Sequence, residues 1–165
     1  MDVDDEALLG RHETRDSGKA LLEAALTREN MVKAWKRVKA NKGSAGVDGR
    51  TIVETEEYLK TAWPQIKARL LAGTYWPDAV RRVAIPKSGG GERELGIPTA
   101  IDRLIQQALL QVLQPLIDPT FSDHSYGFRP GRSAHAAVLR AQGYVQAGRA
   151  IVVDVDLEKF FDRVH

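Results

Sequence analysis

Two aspartates near the C-terminus have the residue type and spacing that could hold a metal ion. Asp154 and Asp156 follow an apolar run in the stretch AIVVDVD. Because strand side chains alternate between faces, a strand here would put both carboxylates on one face and Ile151, Val153 and Val155 on the other. Carboxylates are oxygen ligands of the kind that Mg²⁺ takes, together with water and substrate phosphates. The alternatives are a solvated strand end or a cap on the next helix.

One other enzyme class shares this short pattern. Phosphatases of the haloacid-dehalogenase type also begin with an apolar strand that runs into Asp-x-Asp, and they carry Thr or Val two residues later. Glu158 occupies that position here, which disfavours this class.

A second candidate site lies in AVRRVAIPKSGGGERELGIP, where two β-compatible runs flank SGGG. The pattern predicts a hairpin with a glycine tip, and Lys87 and Arg93 lie on either side of that tip. Arginine offers a planar fork and lysine a mobile point charge, so the pair suits a polyphosphate. The alternative is a solvated basic hairpin. The glycines form no Walker loop, because no Gly-Lys-Ser/Thr follows them.

The elements before the hairpin are predicted to be helical. A helix is expected from Thr27, with Val32, Trp35 and Val38 on one stripe. After the turn NKGSAGVDG, a second helix is expected over about 53–71, interrupted by a proline in WPQ and closed by the glycine in AGT.

Two capped helices are predicted after the hairpin. Thr99 is expected to cap a helix over 100–117 with a wide apolar face, and Ser133 is expected to cap another that runs to about 146. The loop YGFRPGR separates them. The strand 150–156 would then carry the aspartates.

Composition limits the class of protein. The chain has 165 residues, 43% of them hydrophobic, and no cysteine, so it can bury a core but form neither a disulfide nor a thiolate metal site. The acidic N-terminus lacks the apolar stretch of a signal peptide, and no later segment is apolar enough to cross a bilayer. These features predict a cytoplasmic protein with no membrane partner.

The charge is unevenly distributed. The first 30 residues hold 8 of the 22 acidic and 4 of the 24 basic side chains, which leaves residues 31–165 with a net charge of +6. A basic body favours a polyanionic partner such as nucleic acid.

Four collinear segments resemble the N-terminal half of a group II intron reverse transcriptase, also called a maturase. They are NKGSAGVDG, AIPKSGGGERELGIPTAIDRLIQQAL, YGFRPGRSAHAA and VVDVDLEKFFDRVH. The resemblance implies a truncated right-hand polymerase fold of the α/β (α+β) class: a helical fingers subdomain with a β-hairpin, and the first strand of a palm. The implied organisation is a flexible lead-in over 1–27, an N-terminal extension and fingers over 28–149, and the start of a palm over 150–165.

The resemblance also implies an activity and its partners. The family polymerises DNA on an RNA template with two Mg²⁺ ions, so the implied partners are template RNA, intron RNA, a DNA primer and dNTP. The family motif makes Asp156 the catalytic metal ligand, with Asp154 as the alternative. The backbone carbonyl of Leu157, or that of Val155, is implied to assist.

Further residues acquire roles only through the resemblance. Lys87 and Arg93 correspond to the basic pair that holds the dNTP, and Phe161 to the residue that excludes a 2′ hydroxyl. In the loop, Arg129, Gly131 and Arg132 lie where the family approaches the template, although an arginine-stapled turn is the alternative for Arg132. The implied RNA contacts in the N-terminal extension are Lys33, Lys36, Lys39 and Lys42.

The family's second palm motif, an aromatic residue followed by Ala-Asp-Asp, is absent from these 165 residues. We therefore expect the isolated chain to bind RNA without extending a primer, and to self-associate through the exposed surfaces of its fingers or incomplete palm. The second hypothesis is a non-catalytic module that helps intron RNA to fold.

Overall fold

The computed structural model describes residues 17–86, 88–157 and 160. They divide into two compact units, one that ends at Pro119 and one that begins at Thr120. Among the helices in these ranges, none combines the length and apolarity needed to cross a membrane.

The described residues of the first unit form four α-helices and one hairpin. Helix α1 covers residues 17–25, and α2 (Arg28–Ala40), α3 (Ile52–Leu71) and α4 (Ala100–Ile117) follow it. Strands β1 (Arg81–Pro86) and β2 (Glu92–Ile97) lie between α3 and α4. A short 3-10 helix, Asp118–Thr120, follows α4.

Local signals explain where the helices begin and end. The Thr51 side chain accepts a hydrogen bond from the Glu54 backbone N–H while the Glu54 carboxylate accepts one from the Thr51 backbone, which forms a capping box for α3. This contact lowers the pKa of Glu54, chiefly through the hydrogen bond from the Thr51 backbone. Gly73, at φ 68°, closes α3 as predicted. The predicted Thr99 cap on α4 is also confirmed.

The core of the first unit has two adjoining parts. Leu26, Met31, Ala34 and Val38 pack against Leu104 and Ala108 of α4, while Ile66 of α3 packs against Ile101 and Ile105. Helix α4 contributes to both parts, so it is the central element of this unit.

Three expectations about the helices need correction. The buried stripe of α2 contains Met31 and Ala34, and Val32 is 49% exposed. Helix α3 continues through Pro64, because the apolar residues around it pack into both parts of the core. The part of the predicted flexible lead-in that is described is helical over 17–25 and ends in buried Ala25 and Leu26.

The predicted hairpin is confirmed. Strands β1 and β2 pair antiparallel from Arg81↔Ile97 to Pro86↔Glu92. At the tip, Gly90 and Gly91 have φ values of 89° and 81°, a region that glycine enters without steric cost.

The second unit contains helix α5 (Ala134–Gln146), which Ser133 caps as predicted by accepting a hydrogen bond from the Ala136 backbone. The predicted strand over 150–156 is wrong, because residues 150–157 adopt no helix or strand. A strand requires a hydrogen-bonded neighbour, and within the described ranges β1 and β2 pair only with each other.

Candidate functional site

Arg93 lies on the exposed hairpin, opposite Ile85 in the register. It forms no ion pair with a described residue, whereas the neighbouring Glu94 pairs with Arg82 across the strands at 3.4 Å. The guanidinium of Arg93 is therefore available to an anion from solvent. Lys87, its predicted partner, lies outside the described residues.

A buried carboxylate anchors the base of this hairpin. Asp102, 3% exposed in the first turn of α4, accepts hydrogen bonds from the Tyr75 hydroxyl at 2.7 Å and from the Thr99 hydroxyl at 2.7 Å. It also accepts one from the Asp78 backbone N–H at 3.2 Å. These contacts join the chain before β1 to the start of α4. Burial, and then the bond to Asp102, raise the pKa of the Tyr75 phenol.

The glycine turn NKGSAGVDG packs against the same end of α4. A Cβ on Gly46 would lie 2.7 Å from the Thr99 backbone N, so only glycine fits there. Arg103 donates from Nη2 to the Ser44 carbonyl at 2.8 Å. Two of the four segments that suggested the family are therefore neighbours in space.

The four lysines implied to contact RNA differ in their surroundings. Lys33 pairs with Glu29 at 2.6 Å and Lys39 with Glu56 at 2.9 Å, while Lys36 and Lys42 form no ion pair with a described residue. The hydrogen bond from Lys33 lowers the pKa of Glu29, and the one from Lys39 lowers the pKa of Glu56. Lys36 and Lys42 are thus the two of this set whose charges are not balanced by a neighbouring acid.

Between α2 and α3 lies a groove of about 940 Å³ with an apolar floor and a basic rim. Its floor includes Met31, Trp35, Leu59 and Trp63, and its rim includes Arg28, Lys36, Lys60 and Lys67. Glu56 is the one acidic residue among the described residues that line the groove, and it accepts hydrogen bonds from Trp35 and Lys39. The groove combines aromatic surface with excess positive charge, which suits a chain of bases and phosphates.

The two arginines of the YGFRPGR loop are bonded to the loop itself. Arg129 donates from Nη1 to the carbonyls of Ser122 and Ser125 at 2.8 and 3.1 Å. Arg132 donates from Nη1 to the Asp123 carbonyl at 3.0 Å and from Nη2 to its carboxylate at 3.4 Å. These hydrogen bonds form the arginine-stapled turn that was the alternative for Arg132, and Arg129 bonds to the loop in the same way.

Glycine and phenylalanine in this loop have distinct environments. Gly131 has a φ of 69°, which explains its residue type, whereas Gly127 has open space around it. Phe128 also has a positive φ, 55°, and its side chain is fully exposed. Phe128 therefore does not pack against the described residues of the loop.

Asp154 and Asp156 are both exposed, and neither pairs with a described cation. Their carboxylates and the Leu157 carbonyl are oxygen donors, which fit a hard cation such as Mg²⁺. However, no group of three or more potential ligand side chains forms within the described ranges. Phe161, the predicted sugar-selecting residue, lies outside these ranges.

One further basic cluster was not predicted from the sequence. The guanidinium carbons of Arg140 and Arg149 lie 5.1 and 4.8 Å from the centre of the Tyr144 ring, and His124 stacks on that ring at 6.1 Å. The spacing of Arg140 and Tyr144 by one helical turn is the only sequence signal that could have indicated this cluster.

Comparison with known proteins identifies the class. Residues 85–165, which include β2, the YGFRPGR loop and both aspartates, match the family described as reverse transcriptase (RNA-dependent DNA polymerase). This segment of the chain therefore belongs to the reverse transcriptases.

Its relatives identify the group within that class. The chain is 36% identical to the group II intron-encoded protein LtrA of Lactococcus lactis subsp. cremoris over 79% of its own length and 22% of the relative's. It is 39% identical to protein YkfC of Escherichia coli (strain K12) over 73% of its length and 32% of the relative's. It is 43% identical to nuclear intron maturase 2 of Arabidopsis thaliana over 37% of its length and 8% of the relative's. It is thus related to group II intron reverse transcriptases and maturases, and spans a third or less of these relatives.

Proposed function

We propose that this chain supplies the fingers and the start of the palm of a group II intron reverse transcriptase, an RNA-directed DNA polymerase. The observation that carries this proposal is the match to the reverse transcriptase family over residues 85–165. That range contains the exposed Arg93, the stapled loop and the two exposed aspartates. In this role the chain binds template RNA, a DNA primer and dNTP.

Each named residue has a separate task in the proposed reaction. Arg93 and Lys87 hold the triphosphate of the dNTP, because a planar fork and a mobile ammonium can grip and release phosphate oxygens. Asp156 and the Leu157 carbonyl hold Mg²⁺, with Asp154 as the alternative ligand, and Phe161 lies against the sugar. When bound, two Mg²⁺ ions supply activation of the primer hydroxyl and neutralisation of the leaving pyrophosphate.

Nucleotide binding can be tested on the chain itself. We expect Arg93→Gln and Lys87→Gln to weaken binding of Mg²⁺–dNTP in a fluorescence titration, because each removes a charged contact to phosphate. Arg81→Gln is the matched control, since Arg81 is an exposed arginine on the neighbouring strand without an ion pair to a described residue. Equal losses in Arg81→Gln and Arg93→Gln would contradict the assigned roles.

Catalysis is tested in a longer protein in which the palm and thumb of a group II intron relative follow residue 165. In that protein we expect Asp156→Asn to lower primer extension by at least about 100-fold, because a metal contributes several kcal/mol to the transition state. Extension that survives Asp156→Asn but not Asp154→Asn would move the ligand to Asp154. Phe161→Ala is expected to admit ribonucleotides, which is measured as the ratio of dNTP to rNTP incorporation.

A second function, intron RNA binding without catalysis, is favoured by the first unit. The similarity to the L. lactis intron-encoded protein covers 79% of the chain, so it extends beyond the matched range 85–165. The basic groove between α2 and α3 is built almost entirely from residues before that range. We expect Lys36→Gln to weaken binding of intron RNA in a salt-dependent way.

The two functions are separable in the longer protein. If it promotes intron splicing while Asp154→Asn and Asp156→Asn leave every activity unchanged, the non-catalytic function is the correct one. Loss of primer extension in Asp156→Asn with splicing intact would support the polymerase.

Self-association is proposed for the apolar residues that precede and follow the aspartates. Ile151, Val152, Val153 and Val155 are each at least 79% exposed. Exposed apolar residues in sequence promote association of chains. Sedimentation of the chain at increasing concentration tests this, with Val153→Asp expected to keep it monomeric.

A further inference from the structure

The second unit holds two arginines on one aromatic ring at the end of α5. The guanidinium carbons of Arg140 and Arg149 lie within 5.1 Å of the Tyr144 ring centre, and Arg140 Nε donates to the Tyr144 hydroxyl at 3.2 Å. The backbone N–H of Arg149 donates to the Tyr144 carbonyl at 3.1 Å, just after Gly148 with a φ of 89°. The turn after α5 therefore brings Arg149 back to the ring that Arg140 already contacts.

These two charges are not balanced within the described part of the chain. Neither Arg140 nor Arg149 pairs with a described carboxylate, and the carboxylate beside His124, that of Asp123, pairs with Arg132 at 3.4 Å. Both charges lie within 5.1 Å of one ring centre, and a bound anion would offset their mutual repulsion. Both arginines are exposed, so an anion can reach them from solvent.

The ligand chemistry follows from what surrounds the charges. A guanidinium binds a phosphate through two parallel N–H donors, and one phosphodiester chain offers several phosphates in a row. The exposed imidazole of His124, which stacks on the Tyr144 ring, adds aromatic surface on which an unpaired base can stack. An acidic peptide would satisfy the charges but would leave this aromatic surface without a planar partner.

We propose that Arg140, Tyr144 and Arg149 form a binding site for the sugar–phosphate backbone of single-stranded RNA. The site shares no residue with the hairpin or with the groove between α2 and α3. It rests on the proposed function, because RNA is the polyanion that function requires. In contrast to Arg129 and Arg132, which are bonded to carbonyls of their own loop, the guanidinium groups of these arginines donate to no described carbonyl or carboxylate.

The test measures the affinity of the whole chain for a labelled single-stranded RNA of mixed sequence at several salt concentrations. Each phosphate contact contributes about 0.7 to the slope of log K against log salt for single strands. We expect Arg140→Gln and Arg149→Gln each to reduce the slope by about that amount, and the double variant by about twice as much. Arg140→Lys with Arg149→Lys should retain the slope and bind more weakly, since lysine keeps the charge and loses the fork.

Lys19→Gln is the matched control, because Lys19 is exposed on α1 and has no ion pair with a described residue. An equal reduction in Lys19→Gln, or an unchanged slope in both arginine variants, would overturn the site. The proposed site would also be overturned if the chain bound poly-glutamate more tightly than RNA and the arginine variants lost only the binding of poly-glutamate. If the unaltered chain binds no RNA, the proposed function fails; if it binds RNA and the arginine variants behave like it, this inference alone fails. Circular dichroism spectra equal to the unaltered chain's verify that each variant is folded.

Discussion

The unit that ends at Pro119 and the unit that begins at Thr120 hold their conformations by different means. The first buries apolar side chains from α2, α3 and α4, and it also buries the carboxylate of Asp102 with three hydrogen bonds. In the second, none of the described residues is buried, and arginines bonded to carbonyls and rings organise the backbone.

The difference assigns most of the stability to the first unit, whereas candidate functional residues lie in both units. Burial of apolar surface supplies most of the free energy of folding, so the first unit should carry most of the stability of the chain. The second unit carries the two aspartates and the YGFRPGR loop, on a framework with no buried residue among those described. All three tryptophans lie in the first unit, so their fluorescence reports on that unit alone.

The largest expected effect comes from removing core volume. Leu104 is 3% exposed in the middle of α4, whereas Leu139 on α5 is 54% exposed. We expect Leu104→Ala to lower the free energy of unfolding by about 3 kcal/mol, because it leaves a cavity. Leu139→Ala should lower it by less than about 0.5 kcal/mol. Urea denaturation followed by circular dichroism, which reports on the helices of both units, measures both, and similar losses would refute the contrast between the units.

The buried carboxylate offers the next test. Asp102→Asn places an NH₂ or a neutral oxygen where three donors converge, so at least one donor loses its partner. We expect a loss of about 2 kcal/mol in the free energy of unfolding. Asp154→Asn is the matched control, since Asp154 is exposed, and it should change stability by less than about 0.5 kcal/mol. Equal stabilities for the two variants would mean that Asp102 does not anchor the hairpin.

A glycine pair sharpens the comparison at the level of backbone contacts. Gly46→Ala puts a Cβ 2.7 Å from the Thr99 backbone, whereas a Cβ on Gly89 meets nothing within 4 Å. We expect Gly46→Ala to cost about 1–3 kcal/mol through displacement of the turn, and Gly89→Ala to be close to neutral. Thermal denaturation of both variants measures the difference. A stable Gly46→Ala protein would show that the turn is free to move away from α4.

The smallest effect concerns pH. The pKa of Tyr75 is raised in the folded chain, so its contribution to stability is fully present below its ordinary pKa near 10 and declines as the pH rises above that value. We expect Tyr75→Phe to lose about 1 kcal/mol at neutral pH, for one hydrogen bond, and to depend less on pH above about 10. Tyr58→Phe, which removes a hydroxyl without a described hydrogen bond, should keep the alkaline dependence of the unaltered chain. The same alkaline slope in Tyr75→Phe would contradict the role of its hydroxyl.

Sequence reasoning identified the features that local rules determine. Thr99 and Ser133 cap their helices, and Gly73 closes α3, because each signal acts within one helical turn. The strand at 150–156 depended on a neighbouring strand, which the residue pattern itself cannot supply. The stripe of α2 was misassigned because Val32 and Met31 are adjacent, and only packing shows which of them is buried.

The candidate site was predicted unevenly for a similar reason. Arg93 is on the exposed hairpin as expected, since a strand pattern and a glycine tip define its position. The bond from Tyr75 to Asp102 spans 27 residues, and no local pattern indicates it. Arg129 and Arg132 were considered for RNA, but whether an arginine turns to its own loop or outward depends on carbonyls that only the folded loop presents.

The bond between Asp102 and the Asp78 backbone has a mechanical consequence. A hairpin whose strands are solvated on both faces would ordinarily swing about its connections as a loose flap. Here the chain before β1 is hydrogen-bonded to α4, the most deeply packed helix of its unit. A force applied at the glycine tip is therefore transmitted to the first turn of α4. In a single-molecule pulling experiment, detachment of the hairpin from α4 and unfolding of the helical bundle should therefore occur as one event rather than two.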